Sequence, residues 1–271
     1  MTKALFLDLD GTLLDDQKNI TAGNRRAIED MLAAGHKCII TTGRPLFSAL
    51  IQAHRLGLDA PRCYVIAYNG GQIYDFAAGR KVFESLVPLP LAEKLFAEAE
   101  RRGLHIQAYD DDAVVVEPRC DDETVRRYTS LNLSHFRVVD RIGNLGCDPG
   151  KVLLADYDSR VGTEPYRQWA VAQPEFAGLD IFFSCFEYLE IVNKGISKGA
   201  ALRQLAGVLG IPIENTVSAG DAPNDTPMIR AAGVGCAMKN ADEDVKAAAD
   251  YVTERDNNHD GIEEVIRKFI L

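Results

Sequence analysis

The sequence predicts an α/β fold in which a parallel-sheet domain carries an inserted α+β domain. One observation is the alternation of short apolar runs with helical patterns at both ends of the chain, which is typical of parallel strands joined by right-handed crossovers. A second is a middle part in which strand-like runs follow one another as neighbours. The third is a length of 271 residues, which exceeds the usual size of a single domain.

The N-terminal part predicts a strand–helix–strand–helix–strand unit. Its first strand, KALFLDL, is apolar on both faces and therefore belongs inside the sheet. The helix in TAGNRRAIEDMLAAG is expected to begin with Thr21 as its N-cap and to stop at Gly35. The second strand, the second helix and the third strand are KCIITT, PLFSALIQAHRLG and RCYVIAYNGG.

The C-terminal part repeats this alternation, with helices predicted in SKGAALRQLAGVLG, NDTPMIRAAG, EDVKAAAD and GIEEVIRKFI and strands in TVSAGD, GVGCAM and YVTE. The middle part instead places HIQAY, AVVVEP, KVLLAD, DIFFS and YLEIV beside the helices LAEKLFAEAERRG and RVGTEPYRQWAVA, which favours antiparallel pairing. We therefore predict a discontinuous Rossmann-like core of residues 1–83 and 194–271, with an inserted domain of residues 84–193. Hinges are expected near Phe83 and Asn193.

Composition narrows the classes of partner. The net charge of −10, the pI near 5.0 and the lack of a Lys/Arg-rich run disfavour nucleic acid and anionic membrane surfaces. No apolar run reaches the roughly 20 residues of a membrane span and no signal-peptide pattern is evident, so a cytoplasmic location is expected. The cysteines are scattered without ligand spacing, which predicts reduced thiols rather than a zinc site or a disulfide framework. They are Cys38, Cys63, Cys120, Cys147, Cys185 and Cys236.

Polar side chains stand where the predicted parallel strands end, and open parallel sheets bind ligands beyond the carboxyl ends of their strands. In DLDGT, Asp8 and Asp10 are two residues apart and would share one face of a strand. Gly11 then lets the chain turn sharply and present backbone N–H groups. The other polar groups at strand ends or helix starts are Thr42 in TTGR, Lys198, and Asp221, Asn224 and Asp225 in AGDAPND.

Together these groups predict a site for a metal ion and a phosphoryl group. Several carboxylates cannot remain ionised side by side without a cation, and an all-oxygen set without His or Cys suits Mg²⁺. Lysine, threonine and backbone N–H groups suit the oxygens of a phosphoryl group. The paired aspartates at the end of an apolar strand are therefore explained by a cation and a bound phosphoryl group.

In this order and on these elements, DLDGT, TTGR, Lys198 and GDAPND resemble the four motifs of the haloacid dehalogenase (HAD)-like phosphotransferases. The insertion after the third strand resembles the cap of the Cof-type sugar-phosphatase branch. The resemblance covers essentially the whole chain. It implies a HAD core with an inserted cap that sets specificity, and a Mg²⁺-dependent phosphatase acting on small phosphorylated metabolites, most of all sugar phosphates.

The same resemblance implies a role for each motif residue. Asp8 would attack phosphorus and form an aspartyl-phosphate, while Asp10 would protonate the leaving alcohol and then activate the hydrolytic water. Asn224 would contact the phosphoryl group or the lysine. The groups that hold phosphoryl oxygens would be Thr42, Gly43, Lys198 and Asn224. The groups that bind Mg²⁺ would be Asp8, the backbone carbonyl of Asp10 and Asp221, with Asp225 steadying the ion from the outer shell.

Contacts to the leaving group are less well specified. Arg44 follows the TTG run and is either structural or a substrate contact. Asn69 and Gly70 end the third predicted strand, where a leaving group could reach. Candidate contacts in the inserted domain are Tyr109, Lys151, Phe183 and Tyr188. The sequence does not indicate which of these sets specificity, nor the oligomeric state.

Two other functions stay open at this point. Some relatives with similar caps are phosphomutases, which pass the aspartyl-phosphate to a sugar hydroxyl, and the exclusion of water by the closed cap decides between the two acceptors. A phospho-accepting signalling module also clusters aspartates with a threonine and a lysine. Receiver domains of that class lack a large insertion and carry their acceptor on a later strand than the paired acids.

Overall fold

The computed structural model describes residues 1–131 and 134–271. Its strands are β1 (Ala4–Leu7), β2 (Lys37–Thr41), β3 (Cys63–Ala67), β4 (Gln72–Asp75), β5 (Arg80–Glu84), β6 (Ile106–Tyr109), β7 (Val114–Val116), β8 (Phe136–Val138), β9 (Val152–Ala155), β10 (Leu179–Phe183), β11 (Tyr188–Asn193), β12 (Thr216–Gly220), β13 (Val234–Ala237) and β14 (Tyr251–Val252). Its α-helices are α1 (Ala22–Ala33), α2 (Leu46–Leu56), α3 (Leu89–Arg102), α4 (Glu123–Leu131), α5 (Thr163–Ala172), α6 (Lys198–Val208), α7 (Thr226–Ala231), α8 (Glu243–Ala247) and α9 (Gly261–Phe269). Within the described residues, none of these helices has the length and apolar character needed to span a membrane.

β1 lies inside a sheet that has eight strands in the described part of the chain, with the order β14-β13-β12-β1-β2-β3-β4-β5. From β14 to β3 every neighbouring pair is parallel, and β4 then pairs with β3 in the antiparallel sense. The predicted α/β fold with a parallel core sheet is therefore confirmed. Because β1, β2, β3 and β12 are parallel, their carboxyl ends meet at one edge, and the residues that follow them are neighbours there.

The central strand is buried on both faces, as its apolar sequence predicts. Phe6 belongs to a hydrophobic cluster that includes Leu202 and Leu205 of α6. Leu5 and Leu7 alternate with Phe6 along the strand, and they too are fully buried. Complete burial of an apolar side chain of this size contributes roughly 1.5–3 kcal/mol. The end of β1, and with it the residues that follow, is therefore held by the core.

The chain forms two compact units, one of residues 1–43, 49–83 and 197–271 and one of residues 44–48 and 84–196. In its described residues, the second unit has a six-stranded sheet with the order β10-β11-β9-β6-β7-β8. Every neighbouring pair is antiparallel except β7 and β8, which are parallel. Buried Tyr166 of α5 donates its hydroxyl to the carbonyl oxygen of Leu95 in α3 at 2.8 Å. The domain limits at 84 and 193 stay a prediction.

The sequence does not predict β4, β5 or β8. The residues of β5 and β8 are half-buried or exposed, so these strands lack the apolar run by which a buried strand is identified. Such elements are stabilised by their neighbours in the fold, and their own sequence carries little signal.

The start of α1 is capped from the other end of the chain. Thr21 occupies the N-cap position, but its side chain makes no capping hydrogen bond. Instead, Asp260 Oδ1 accepts from the amides of Gly23 at 2.8 Å and Asn24 at 3.1 Å, and from Thr21 Oγ1 at 2.6 Å. Thr21 is therefore the N-cap residue, as predicted, but the acceptor for the helix amides is the Asp260 carboxylate, which is stronger than a hydroxyl.

We expect Asp260→Ala to lower the free energy of unfolding by about 1–2 kcal/mol, because two helix amides lose their acceptor. Thr21→Val should cost less, since both amides keep the carboxylate. Urea unfolding followed by circular dichroism measures both changes. A variant Asp260→Ala as stable as the wild type, or a larger loss in Thr21→Val, would contradict this assignment of the cap.

Candidate active site

β1 ends in a tight turn that carries Asp8 and Asp10. The amide of Asp8 donates to a carbonyl of β12 at 3.1 Å, so strand pairing continues to Asp8 itself. The amides of Leu13 and Leu14 then donate to the carbonyls of Asp8 and Leu9, at 3.3 and 2.9 Å. These bonds, each spanning five residues, fold the chain back directly after the strand. Asp8 and Asp10 are thereby fixed at the carboxyl edge of the core sheet.

Gly11 brings this turn against the end of β12. Its φ of +80° lies in the left-handed region, which glycine adopts without steric cost. A Cβ at this position would lie 2.4 Å from Asp221 Oδ2. The next residue, Thr12, donates its hydroxyl to Asp221 Oδ1 at 2.6 Å. Asp221 is thus held beside the turn that follows β1.

Three carboxylates meet close to one lysine. Oxygens of Asp8, Asp221 and Asp225 lie within 4.8 Å of one another. Lys198, the first residue of α6, donates from Nζ to Asp8 Oδ1 at 2.6 Å and to Asp225 Oδ1 at 2.5 Å. The Lys198 side chain is 0% exposed, so both ion pairs are shielded from water. The structure therefore brings together residues that the sequence predicted from separate motifs.

One lysine does not balance this negative charge. Burial raises the pKa of Asp8 well above its ordinary value; Lys198 opposes this shift, and the neighbouring carboxylates add to it. Burial also raises the pKa of Asp221 to about 6, and nearby Asp225 and Asp10 contribute. Burial alone would lower the pKa of Lys198, but Asp225 and Asp8 raise it above the ordinary value. The cluster therefore favours an additional cation or a proton.

Asp225 closes the loop that follows β12. Its Oδ2 accepts from the amides of Asp221 at 3.0 Å and Ala222 at 3.1 Å, while Oδ1 holds Lys198. A Cβ on Gly220 would lie 2.4 Å from the Cβ of Asp225, so the absence of a side chain permits this approach. Both oxygens of Asp225 are engaged by N–H donors of the protein. Asp225 thereby fixes Asp221 in relation to Lys198.

Four of the predicted phosphate and substrate residues follow the ends of two strands: Thr42 and Gly43 follow β2, and Asn69 and Gly70 follow β3. The amide of Thr42 donates to the carbonyl of Ile66 at 2.8 Å, and the carbonyl of Thr42 accepts from the amide of Asn69 at 3.0 Å. Asn224 Nδ2 donates to Asn69 Oδ1 at 3.1 Å. A Cβ on Gly43 would lie 3.1 Å from the same oxygen. Residues from two predicted motifs and from the end of the third strand therefore share this edge of the sheet.

Gly70 connects this edge to the start of α6. Its φ is +116°, and a Cβ there would lie 2.5 Å from the carbonyl oxygen of Ser197. Ser197 is the N-cap of α6, where its Oγ accepts from the amide of Ala200 at 3.1 Å. Close packing and a side-chain cap thus define the position from which Lys198 extends into the carboxylate cluster.

Asp10 differs from Asp8 in its exposure. Its side chain is 39% exposed, and its Oδ1 accepts from Lys18 Nζ at 2.7 Å. Lys18 has a φ of +64°, and its amide donates to the carbonyl of Asp15 at 2.9 Å. Lys18 is not predicted from the sequence, because an exposed lysine in a turn carries no distinguishing signal. Asp10 is more accessible to water than Asp8, which is buried.

Three of the candidate contacts in the second unit belong to polar and aromatic networks inside that unit. Lys151 Nζ lies 3.2 Å from Glu190 Oε2, with both side chains buried, and 5.1 Å from the ring centre of Tyr109. The Tyr188 hydroxyl is hydrogen-bonded to that of Tyr157 at 3.0 Å. Glu190 is not among the predicted residues, although a charged residue within the apolar strand YLEIV is a usable signal.

Arg44 and Phe183 also fall in the second unit. Arg44 is buried, and its charge acts on Tyr128. Burial raises the pKa of Tyr128, and Lys151 and Arg44 oppose the shift. Phe183 packs under the guanidinium of Arg160, whose carbon lies 4.1 Å from the ring centre. These contacts describe the interior of the unit, and substrate contact by either residue stays a prediction.

Comparison with known proteins identifies relatives along the whole chain. A family model of haloacid dehalogenase-like hydrolases matches residues 5–266. The putative phosphatase YxeH of Bacillus subtilis is 30% identical, over 100% of this chain and 99% of its own. The pyridoxal phosphate phosphatase YbhA of Escherichia coli is 29% identical, over 100% of this chain and 99% of its own.

Solved structures show the same relationship. A haloacid dehalogenase-like hydrolase from Bacteroides thetaiotaomicron shares 30% identity, with a TM-score of 0.89 over 99% of both chains. A HAD subclass IIB sugar phosphatase shares 25% identity, with a TM-score of 0.79 over 98% of both chains. With the family match over nearly its whole length, the chain belongs to the haloacid dehalogenase-like hydrolases and is a phosphoric monoester hydrolase.

Proposed function

We propose that this enzyme is a Mg²⁺-dependent phosphatase that hydrolyses small phosphorylated metabolites, sugar phosphates first among them, through an aspartyl-phosphate on Asp8. The observation that carries the proposal is the cluster of Asp8, Asp221 and Asp225 around Lys198. The pyridoxal phosphate phosphatase and the sugar phosphatase among its relatives support a small phosphomonoester as substrate. The proposal includes a cytoplasmic location and no nucleic-acid or membrane partner.

The donor set fits Mg²⁺. All three clustered side chains offer carboxylate oxygens, the hard ligands that Mg²⁺ prefers. The ion would be held by Asp8, Asp221 and the backbone carbonyl of Asp10. Asp225 would act from outside this set, because both of its oxygens already accept hydrogen bonds from the protein. When bound, Mg²⁺ supplies positive charge that compensates the carboxylates and the phosphoryl oxygens.

The residues of the chain divide the phosphoryl transfer into two steps. Asp8 Oδ attacks phosphorus as the bond to the leaving oxygen breaks, and Asp10 donates its proton to that oxygen. Asp10 then takes a proton from the water that attacks the aspartyl-phosphate, which releases inorganic phosphate and restores Asp8. In-line transfer depends mainly on positioning and charge stabilisation. We assign the positioning of phosphoryl oxygens to Thr42, Gly43, Lys198 and Asn224.

Selection of the leaving group belongs to the same proposal. Asn69 and Gly70 are assigned to substrate contact from the core sheet, and Arg44 from the adjoining segment. The inserted domain, residues 84–193, is assigned the role of a specificity cap. A panel of sugar phosphates, pyridoxal phosphate and other phosphorylated metabolites, assayed for inorganic phosphate, tests the substrate class. Transfer to a sugar hydroxyl without phosphate release would instead indicate a phosphomutase.

Asp8→Asn should abolish turnover while the fold survives. Loss of the nucleophile is expected to lower kcat by about three orders of magnitude or more, and removal of one charge from the crowded cluster should leave the melting temperature close to that of the wild type. Phosphate release and thermal unfolding measure the two effects. The matched control is Asp30→Asn, which changes an exposed carboxylate paired with Arg267. Full activity of Asp8→Asn would refute the nucleophile assignment.

Activity should depend on added Mg²⁺. After treatment with EDTA and desalting, we expect no phosphate release until Mg²⁺ is restored. Asp221→Asn should raise the Mg²⁺ concentration needed for half-maximal activity by about tenfold or more, because removal of even an outer-shell partner costs 10- to 100-fold in metal affinity. NaCl at equal ionic strength is the control for a general salt effect. Undiminished activity in excess EDTA would exclude the proposed metal role.

Lys198→Met should destabilise the metal-free enzyme strongly. Removing one partner of a buried ion pair leaves uncompensated charge, which costs about 3–5 kcal/mol. The double variant Lys198→Met/Asp225→Asn should recover part of this loss, because it removes one of the stranded carboxylates. Urea unfolding in EDTA measures all three forms. Lys246→Met, at a surface pair in which Glu243 is exposed and Lys246 half-buried, should cost less than about 1 kcal/mol. An equally small effect at Lys198 would contradict the charge balance described here.

A further inference from the structure

The turn after β1 leaves backbone carbonyls that strand pairing does not satisfy. Two of them accept from side chains of the C-terminal part of the chain. Asn240 Nδ2 donates to the carbonyl of Gly11 at 2.7 Å, and Asn257 Nδ2 donates to the carbonyl of Leu14 at 3.0 Å. Together they hold both ends of the segment that directly follows Asp10. We call Asn240 and Asn257 the asparagine clasp.

The two members of the clasp are connected to each other. The amide of Asn257 donates to Asn240 Oδ1 at 3.2 Å, so Asn240 accepts from its partner while it donates to the turn. Asn257 is only 4% exposed, and its Nδ2 also lies 3.3 Å from Asp16 Oδ1. The segment that follows β13 and carries Asn240 is also held in place, because Thr253 Oγ1 accepts from the amide of Lys239 at 2.9 Å. The clasp is therefore a connected network, partly removed from water.

The same segment is bonded to the loop that carries Asp221. The amide of Met238 donates to the carbonyl of Gly220 at 3.0 Å, and the amide of Asp242 donates to the carbonyl of Asp221 at 3.1 Å. Asn240 lies between these two contacts in sequence and reaches across to Gly11. One segment thus bridges the turn that holds Asp10 and the loop that holds Asp221. Movement of the turn relative to the carboxylate cluster would break these bonds.

We infer that the asparagine clasp is a positioning device for Asp10, a role that rests on the proposed phosphatase mechanism. Asp10 is partly exposed, so packing alone does not fix its carboxyl. Fixing the backbone of the following residues sets where that carboxyl meets the leaving-group oxygen, and a displacement of about 1 Å in such a group can reduce the rate 100-fold. Asparagine suits the task because one amide supplies both the donor for the turn and the acceptor for its partner.

The most informative variant for testing the clasp is Asn240→Asp. It keeps the size of the side chain and the acceptor for the Asn257 amide, but it replaces the donor to Gly11 with an oxygen that repels the carbonyl. Asn240 is exposed, so folding should be little affected. Asn240→Gln retains an amide and should recover part of the loss. Asn215→Asp is the matched control, since it makes the same change at a residue whose side-chain Nδ2 donates only to the Met1 sulfur among the bonds described.

The readout is the ratio of kcat/KM for two substrates. p-Nitrophenyl phosphate has a good leaving group that needs little protonation, whereas an alkyl phosphate, the sugar phosphate turned over fastest by the wild type, depends on the Asp10 proton. This ratio is independent of the fraction of enzyme that is folded. We expect Asn240→Asp to lower kcat/KM for the alkyl phosphate about tenfold more than for the aryl phosphate, a partial loss compared with the 10²- to 10⁴-fold contribution of a general acid. Asn257→Asp should act in the same direction.

Each other outcome has a distinct meaning. Equal losses on both substrates, or no loss, would overturn the positioning role and leave the clasp as a structural feature. Asp10→Asn supplies the limiting ratio, and if that variant does not disfavour the alkyl phosphate, the acid assignment and the inference fail together. A wild-type enzyme that releases phosphate from neither substrate would overturn the proposed function itself. The control variant Asn215→Asp should keep the wild-type ratio.

Discussion

The buried ion pairs of Lys198 with Asp8 and Asp225 are the constraint on which the site depends. A buried charge is costly unless it is paired and hydrogen-bonded. Each of these three groups can therefore be buried only if its partner is buried beside it. The parallel sheet meets this demand, because the ends of β1 and β12 meet at one edge and α6 begins beside them. The fold thus brings together charges that no short stretch of sequence could assemble.

This arrangement couples the occupants of the site. Asp8, Asp221 and Asp225 exceed the charge of Lys198, and burial makes the excess more unfavourable, as the raised pKa values of Asp8 and Asp221 indicate. A phosphate ester brings further negative charge. A divalent cation would reduce repulsion among the carboxylates and between them and the ester at once, so metal and substrate are expected to favour each other's binding.

The sequence predicts the groups at strand ends well, since an apolar strand followed by a polar residue locates that residue at the sheet edge. Asp8, Thr42 and Asp221 were found in this way. It does not predict the cap that Asp260 provides for α1, nor the pairing of Lys18 with Asp10. Each of these is a contact of a single polar residue with a distant or irregular segment, and no periodicity marks it. The half-buried strands β5 and β8 escape prediction for the related reason that a weak apolar pattern resembles a loop.

Asp8 and Asp10 show two ways to hold a carboxylate. Asp8 is fixed by burial and an ion pair, which suits a group that must attack from a defined position. Asp10, to which we assign proton transfer, is instead partly exposed and paired with Lys18. Hydrogen bonds to the neighbouring backbone, such as those of Asn240 and Asn257, restrict the main chain without covering the carboxyl. A carboxyl held through its backbone can therefore be well positioned without being buried.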